Sequence, residues 1–443
     1  MKHIDLMIIG AGPVGLMSAY LAQQSGLSYR IIDRNTAPLS VGRADALNAR
    51  TLQLMEIAKL FDDVYPLGLP CNTSSVFKNG EFQTRTSKWW DELEGCFHKH
   101  FLMLGQAHVE KILNEKIEHK VQRNTEVLNI EVNEHQCLTK ISSGEEISSK
   151  YIIGCDGPRS FVRKFFDIGF KIERPQINWM VIDAELSTNL PRKSEIIVFQ
   201  RETADIAWIP REGKLDRFYI RMDEKTLNTE TALELINKAT APYSVELNNI
   251  EWSSDFEVKE SVAQNFRAQS RVFLAGDSCH IHSVNGGQGL NTGIADAFNL
   301  IWKLATKIKD GIDILDTYES ERKPVAMSVI DTSGELVRKT KFAKDKQHAA
   351  DYLQILEKRA GNITGMGISY PGCERFWDFT ITDLNKRSYE LLDYSTHTLF
   401  IFNNARIPSE LPLNTKVIKL YENIPEKYQN RAVLVRPDGY VQL

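Results

Sequence analysis

The stretch Ile4-Asp5-Leu6-Met7-Ile8-Ile9-Gly10-Ala11-Gly12-Pro13-Val14-Gly15, followed by an amphipathic run and then Tyr29-Arg30-Ile31-Ile32-Asp33, decides the fold. An apolar strand enters a glycine turn, a helix follows, and a second strand ends on a carboxylate. This is the first βαβ unit of a doubly wound sheet. Gly10 permits the tight turn, Gly12 lets backbone amides approach a pyrophosphate, and Gly15 lets the helix pack close to the strand. Pro13 and Val14 open the helix, whose free N–H groups and positive dipole end face the diphosphate. Asp33 stands about 20 residues beyond the glycines, where an acid takes a ribose hydroxyl. A carboxylate there repels a 2′-phosphate, so the ligand is read as FAD or NAD rather than NADP.

Composition bounds the rest. A chain of 443 residues allows about two or three domains with a large core. The net charge of −4 is spread over mixed acids and bases, with no basic block to follow a phosphate backbone, so no nucleic acid partner is expected. No apolar run approaches the roughly 18 residues of a membrane span, and the first strand lies too near Met1 for a signal peptide. Cys71, Cys96, Cys137, Cys155, Cys279 and Cys373 form no CxxC pair and read as reduced thiols of a cytoplasmic protein. His280 and His282 lack a third ligand at zinc spacing; they read as structural loop residues, and no metal is expected.

Periodicity predicts helices over 15–24, 46–60 and 109–120, and strands over 125–131 and 150–154. The aromatic, irregular stretch 66–100 reads as a hairpin excursion or a lid. From Trp179 onward, short alternating segments at 181–185, 195–200, 206–209 and 217–221 predict an antiparallel sheet. Parallel-sheet character returns at Arg271-Val272-Phe273-Leu274-Ala275-Gly276-Asp277, before a glycine loop and a long helix through Trp302 and Lys307. The order describes a nucleotide domain interrupted by a β-rich insert. A polar helical connector is expected over 340–360, then strands over 398–402, 416–420 and 432–435. Trp89, Trp90, Trp179 and Trp208 read first as core packing, with an aromatic pocket wall as the alternative.

Two further loops match the first in kind. Asp156-Gly157 leads into Pro158-Arg159-Ser160-Phe161-Val162-Arg163-Lys164, and Gly276-Asp277 into a run that includes Gly286-Gly287-Gln288-Gly289-Leu290-Asn291. Each carboxylate closes a predicted parallel strand, where doubly wound sheets bind ligands. An acceptor there suits a ribityl chain, and the glycine run opens a helix whose amides stabilise negative charge on a reduced flavin.

With these residues in place, the chain resembles the single-component FAD-dependent aromatic hydroxylases, and within them the phenol 2-monooxygenase branch. The matching stretches are Gly42-Arg43-Ala44-Asp45-Ala46-Leu47-Asn48-Ala49-Arg50-Thr51-Leu52, Ile209-Pro210-Arg211-Glu212, Arg217-Phe218-Tyr219 and Thr317-Tyr318-Glu319-Ser320-Glu321-Arg322. Leu434-Val435-Arg436-Pro437-Asp438-Gly439-Tyr440 resembles the thioredoxin-like C-terminal domain of that branch.

The resemblance implies an α/β chain with a doubly wound FAD-binding domain over 1–70, 101–170 and 262–340. It implies an antiparallel substrate domain over 71–100 and 171–261, and a small thioredoxin-like α/β domain over 375–443. Gly10, Gly12, Gly15, Asp33 and Arg34 would hold the adenosine half of FAD, and Arg43 and Gln106 the diphosphate and ribityl region. Asp277 would bind the ribityl hydroxyls, and Gly287, Leu290 and Asn291 the isoalloxazine. Asp156-Gly157 belongs to the element associated with both FAD and the donor, NADPH or NADH. The implied reaction is hydroxylation of a phenolic or polycyclic aromatic compound by dioxygen through a C4a-hydroperoxyflavin. Asp45 would take the phenol proton, Arg211 would stabilise a phenolate or flavin anion, and Tyr219 would donate to the substrate oxygen.

The residues themselves leave other readings. Asp45 also suits the N-cap of a helix starting at Ala46. Arg211 also reads as exposed and Tyr219 as a packed sheet residue; they share a face only if the chain turns at Glu212-Gly213-Lys214. Val284 and Ala46 depart from the family's usual proline and glycine. Cys373 stands alone in the last unit, which excludes dithiol exchange and leaves a packing element or a homodimer contact. A dehydrogenase or reductase of the same fold and a non-catalytic FAD-binding protein remain open. A halogenase would show WxWxIP, of which only Ala207-Trp208-Ile209-Pro210 is present.

Overall fold

A computed structural model describes residues 3–87, 90–172, 177–191, 194–201, 204–222, 228–258, 260–282, 287–341 and 360–442. Trp89, Val284 and most of the connector expected over 340–360 lie outside them.

The apolar run Ile4–Ile9 becomes a central strand because it is covered on both faces. Leu6, Met7 and Ile8 have no exposed surface, as expected of a strand inside a parallel sheet. It pairs in parallel with Tyr29–Ile32 on one side and Glu146–Gly154 on the other, and the latter pairs in parallel with Val272–Leu274. All four strands therefore end at one edge, which gathers Gly10, Asp33, Asp156 and Asp277. Behind that edge the helix Pro13–Gln24 packs between the sheet and the long helix Gln288–Asp310. A Cβ on Gly15 would fall 1.9 Å from the Gly10 carbonyl oxygen, so this helix can lie so close only with glycine there.

The insert is a seven-stranded sheet in the order Val245–Val258, Ile177–Thr188, Asp216–Met222, Ala204–Pro210, Ile196–Arg201, Thr73–Lys78, Glu81–Ser87. One face carries Ile182, Ile206, Trp208, Phe218 and Ile220 against the helix Thr229–Thr240, forming a separate core. The other face carries Val181, Arg217 and Tyr219 toward the nucleotide domain. The excursion proves to be a hairpin whose first strand, Thr73–Lys78, pairs in parallel with Ile196–Arg201. It widens the insert sheet. Trp90, Trp179 and Trp208 are all buried.

One helix boundary differs from the sequence expectation, with a consequence for Asp45. Ala46–Leu47 is a short strand paired with Phe101–Met103, and the helix begins at Ala49. Asn48 caps it, accepting from the Thr51 amide at 2.9 Å. Asp45 is therefore not a helix cap.

The C-terminal residues form a five-stranded sheet in the order Cys373–Arg375, Tyr440–Gln442, Ala432–Val435, Thr398–Phe402, Lys416–Leu420. Phe376, Phe400, Phe402 and Tyr428 stack within the same continuous core as the nucleotide strands. A buried ion network fastens the two. Arg436 pairs with Glu321 at 2.9 Å and with Asp438 at 2.6 Å, and Lys303 reaches Glu321 at 2.8 Å. Burial alone would raise the Glu321 pKa, but Arg436 and Lys303 outweigh it and hold it at about 2. Removing one partner strands a buried charge. Arg436→Leu is expected to cost about 3–5 kcal/mol in chemical denaturation. Lys116→Ala, which breaks the solvent-exposed pair with Asp63, should cost under about 1 kcal/mol in the same assay.

Candidate active site

A cleft of about 1130 Å³ opens at the carboxyl ends of the parallel strands, between that edge and the insert sheet. It is lined by Gly10, Gly12, Pro13, Val14, Asp33, Arg34, Arg43, Asp45, Gln106, Asp156, Gly157, Tyr219, Asp277, Gly287 and Leu290. Three residues singled out in the sequence lie behind its walls. Gly15 meets Gly10 inside the βα turn. Asn291 donates to the carbonyls of Ala46 and Gly287 and accepts from the Asn48 amide, tying the long helix to the segment after Asp45. Arg211 is drawn away by carboxylates, bonding Asp183 at 3.1 Å and Glu212 at 2.7 Å.

At the nucleotide end, Asp33 is fixed by its own turn: its carboxylate accepts from the amides of Ala11 and Asn35, each at 2.7 Å. Arg123 lies 3.8 Å from the same carboxylate and lines the cleft. Asp156 accepts from the amides of Phe161 at 2.6 Å and Val162 at 3.1 Å with one oxygen. Its other oxygen is buried without a partner. Burial raises the pKa of Asp156 and of Asp277, and Arg43 and His280 partly offset it at Asp277.

At the insert end a chain of ion pairs sets the geometry. The turn after Pro210 reverses the strand, with the Arg211 amide donating to the Leu215 carbonyl at 3.1 Å. Arg217 grips Asp183 with two bonds of 2.6 Å, donates to the Tyr219 hydroxyl at 3.1 Å and lies 3.4 Å from the Asp45 carboxylate. The Tyr219 hydroxyl donates to Asp45 at 3.2 Å. Burial first, and Asp45 next, raise the Tyr219 pKa, so it stays a protonated donor. Across the strands Tyr219 faces Val181 and Ala207, both small. Sequence reasoning did not single out Arg217, although its place two residues before Tyr219 puts both on one strand face. Nor did it single out Arg123, whose signal appears only once Asp33 is in place.

The site fits a flavin dinucleotide on its own chemistry. The unpartnered oxygen of Asp156 and an unpartnered Arg123 nitrogen are polar groups awaiting a ligand. An added Cβ at Gly12, Gly157 or Gly289 would meet nothing, so the backbone is open to close approach.

Comparison with known proteins agrees. The family described as "FAD binding domain" matches residues 3–333. The chain is 32% identical over 399 residues to a phenol 2-monooxygenase of Aspergillus fumigatus, covering 83% of this chain and 66% of that relative's length. It is 29% identical to a rifampicin monooxygenase of Streptomyces venezuelae, covering 99% of this chain and 94% of the relative. An anhydrotetracycline hydroxylase from Streptomyces rimosus shares the fold, with a TM-score of 0.78 at 24% identity over 99% of this chain and 95% of that one. The chain belongs to the FAD binding domain family, and its cofactor is FAD.

Two glycines separate folding from binding. Gly10 has φ +101°, and a Cβ there would lie 2.4 Å from the Cys155 carbonyl oxygen, whereas Gly12 faces open space. Gly10→Ala is expected to lower thermal stability. Gly12→Ala should melt like the natural protein in the absence of cofactor yet lose at least about tenfold in FAD affinity, roughly 1.4 kcal/mol, measured by flavin fluorescence.

Proposed function

We propose that this FAD-binding protein is a monooxygenase that hydroxylates a phenolic or polycyclic aromatic compound, using dioxygen and NADPH or NADH. The observation that carries the reading is the Asp45 carboxylate, freed from any capping duty and held on the cleft wall by Tyr219 and Arg217. The names of the relatives and the wording of the Gly42–Leu52 stretch support it. When bound, FAD would supply the redox chemistry that links the nicotinamide donor to dioxygen.

The chain's own residues prepare the substrate. A phenol becomes far more nucleophilic at its ortho carbon when its hydroxyl proton leaves. Asp45 accepts that proton, and Tyr219 turns its hydroxyl from Asp45 to the phenolic oxygen. Arg217, itself locked on Asp183, keeps both groups in register. Val181 beside Tyr219 lines the cleft where a flat ring would lie, and the insert serves as the substrate domain. Leu290 and the amides that begin at Gly287 take the ring end of the cofactor, and Asp277 its ribityl hydroxyls. Asp33, Arg34, Arg43 and Gln106 hold the adenosine and diphosphate. We read the C-terminal sheet as a thioredoxin-like unit reduced to its strands. Thr398–Phe402, parallel to Lys416–Leu420 and antiparallel to Ala432–Val435, supports that reading. Cys373, in contact with Arg436, leaves it a packing role.

Asp45→Ala is expected to lower product formation by about 10²–10⁴-fold while flavin reduction by NADPH or NADH continues. The deficit should shrink for phenols of greater acidity, which lose the proton unaided. Retention of the natural rate and of coupling between oxygen uptake and product would remove the base role.

A further inference from the structure

His282 lines the cleft, is only 8% exposed, and has both ring nitrogens buried without a hydrogen-bond partner. A neutral imidazole offers one donor and one acceptor, and two orphaned positions on one buried side chain are rare unless a ligand is meant to meet them. Of the described side chains beneath it, His280, Asp296 and Arg322, only the His280 Nδ1 lacks a hydrogen-bond partner, and the rest are bonded. Its ring stacks on His280 with centroids 4.8 Å apart, and the His280 Nε2 bonds the Asp296 carboxylate at 2.6 Å. Asp296 also accepts from Arg322 at 2.7 Å and from the Gly276 amide at 3.0 Å. Arg322 in turn donates to the Tyr370 hydroxyl and the Thr292 carbonyl, each at 3.0 Å. Cys279, His280 and Asp296 lie close enough together to suggest a metal centre. The Arg322 guanidinium bonded to Asp296 already supplies the positive charge that a cation would bring.

We infer that His282 is a hydrogen-bonding contact for the bound flavin, held in position by the His280–Asp296–Arg322 chain beneath it. This rests on the FAD reading above. The cofactor is favoured over the substrate because His282 sits between Asp277 and the helix Gln288–Asp310, both in the nucleotide domain. The insert contributes Val181, Tyr219 and Trp252 to the cleft instead. Burial, together with His280 and Arg322, lowers the His282 pKa well below the ordinary histidine range, so the ring meets its ligand uncharged.

The test compares His282→Leu with His282→Gln in the full chain. FAD affinity is read by flavin fluorescence, the bound flavin by its visible spectrum, and stability by melting without cofactor. The leucine variant should bind FAD about tenfold more weakly, with a shifted spectrum, and the glutamine variant should return to within about threefold. Without cofactor, the leucine variant should melt at or above the natural temperature, because an unpartnered polar group has been removed. A leucine variant with natural affinity and spectrum overturns the inference. So do equal losses in both variants accompanied by lower melting temperatures, which mark a packing residue. A natural protein that takes up no FAD overturns the cofactor reading itself, and the inference with it.

Discussion

The helix Pro13–Gln24 lies against the first strand only because no side chain stands between Gly15 and the Gly10 carbonyl. That contact fixes the turn and aims the first helical amides at the end of the strands. It also leaves the Ala11 amide pointing at Asp33, so the carboxylate that closes the second strand is locked by the turn that opens the first helix. The other two loops are placed by sheet register: parallel pairing brings Asp156 and Asp277 to the same edge. One close approach and three strand pairings thus build the nucleotide half of the cleft.

The other half depends on charge. Arg217 has no exposed surface, yet it touches Asp183, Tyr219, Asp45 and the Arg43 carbonyl. It joins the insert sheet to the segment that follows the βαβ unit, and it does so at the group assigned to proton removal. The insert is thereby registered against the nucleotide domain at the point where chemistry is proposed.

What the sequence made legible was what short range determines. The glycine turn, Asp33, the Asp156 and Asp277 loops and the alternating insert strands could all be read because each motif carries its own local geometry. The rest depended on distant partners. Asp45 was the cap the sequence suggested; the pairing of Ala46–Leu47 with Phe101–Met103 delays the helix to Ala49 and leaves the capping to Asn48. The hairpin at Thr73–Ser87 was visible as irregular chain, but its parallel partner lies more than a hundred residues on. Val245–Val258 went unseen because it is an edge strand with many polar residues, which hides the usual alternation. Arg211 was assigned to the site by resemblance, while its position is set by Asp183 and Glu212.

The ion network around Glu321 bears on how the protein is made. Lys303 and Glu321 belong to helices of the nucleotide domain, but Arg436 and Asp438, which complete their neutralisation, are synthesised more than a hundred residues later. Arg50, near the other end of the chain, likewise waits for the Asp438 carbonyl and the Tyr389 hydroxyl. A chain lacking the C-terminal unit would leave Glu321 with Lys303 but not Arg436, and Arg50 without either acceptor, so the C-terminal sheet is part of the unit in which the nucleotide half reaches its final form.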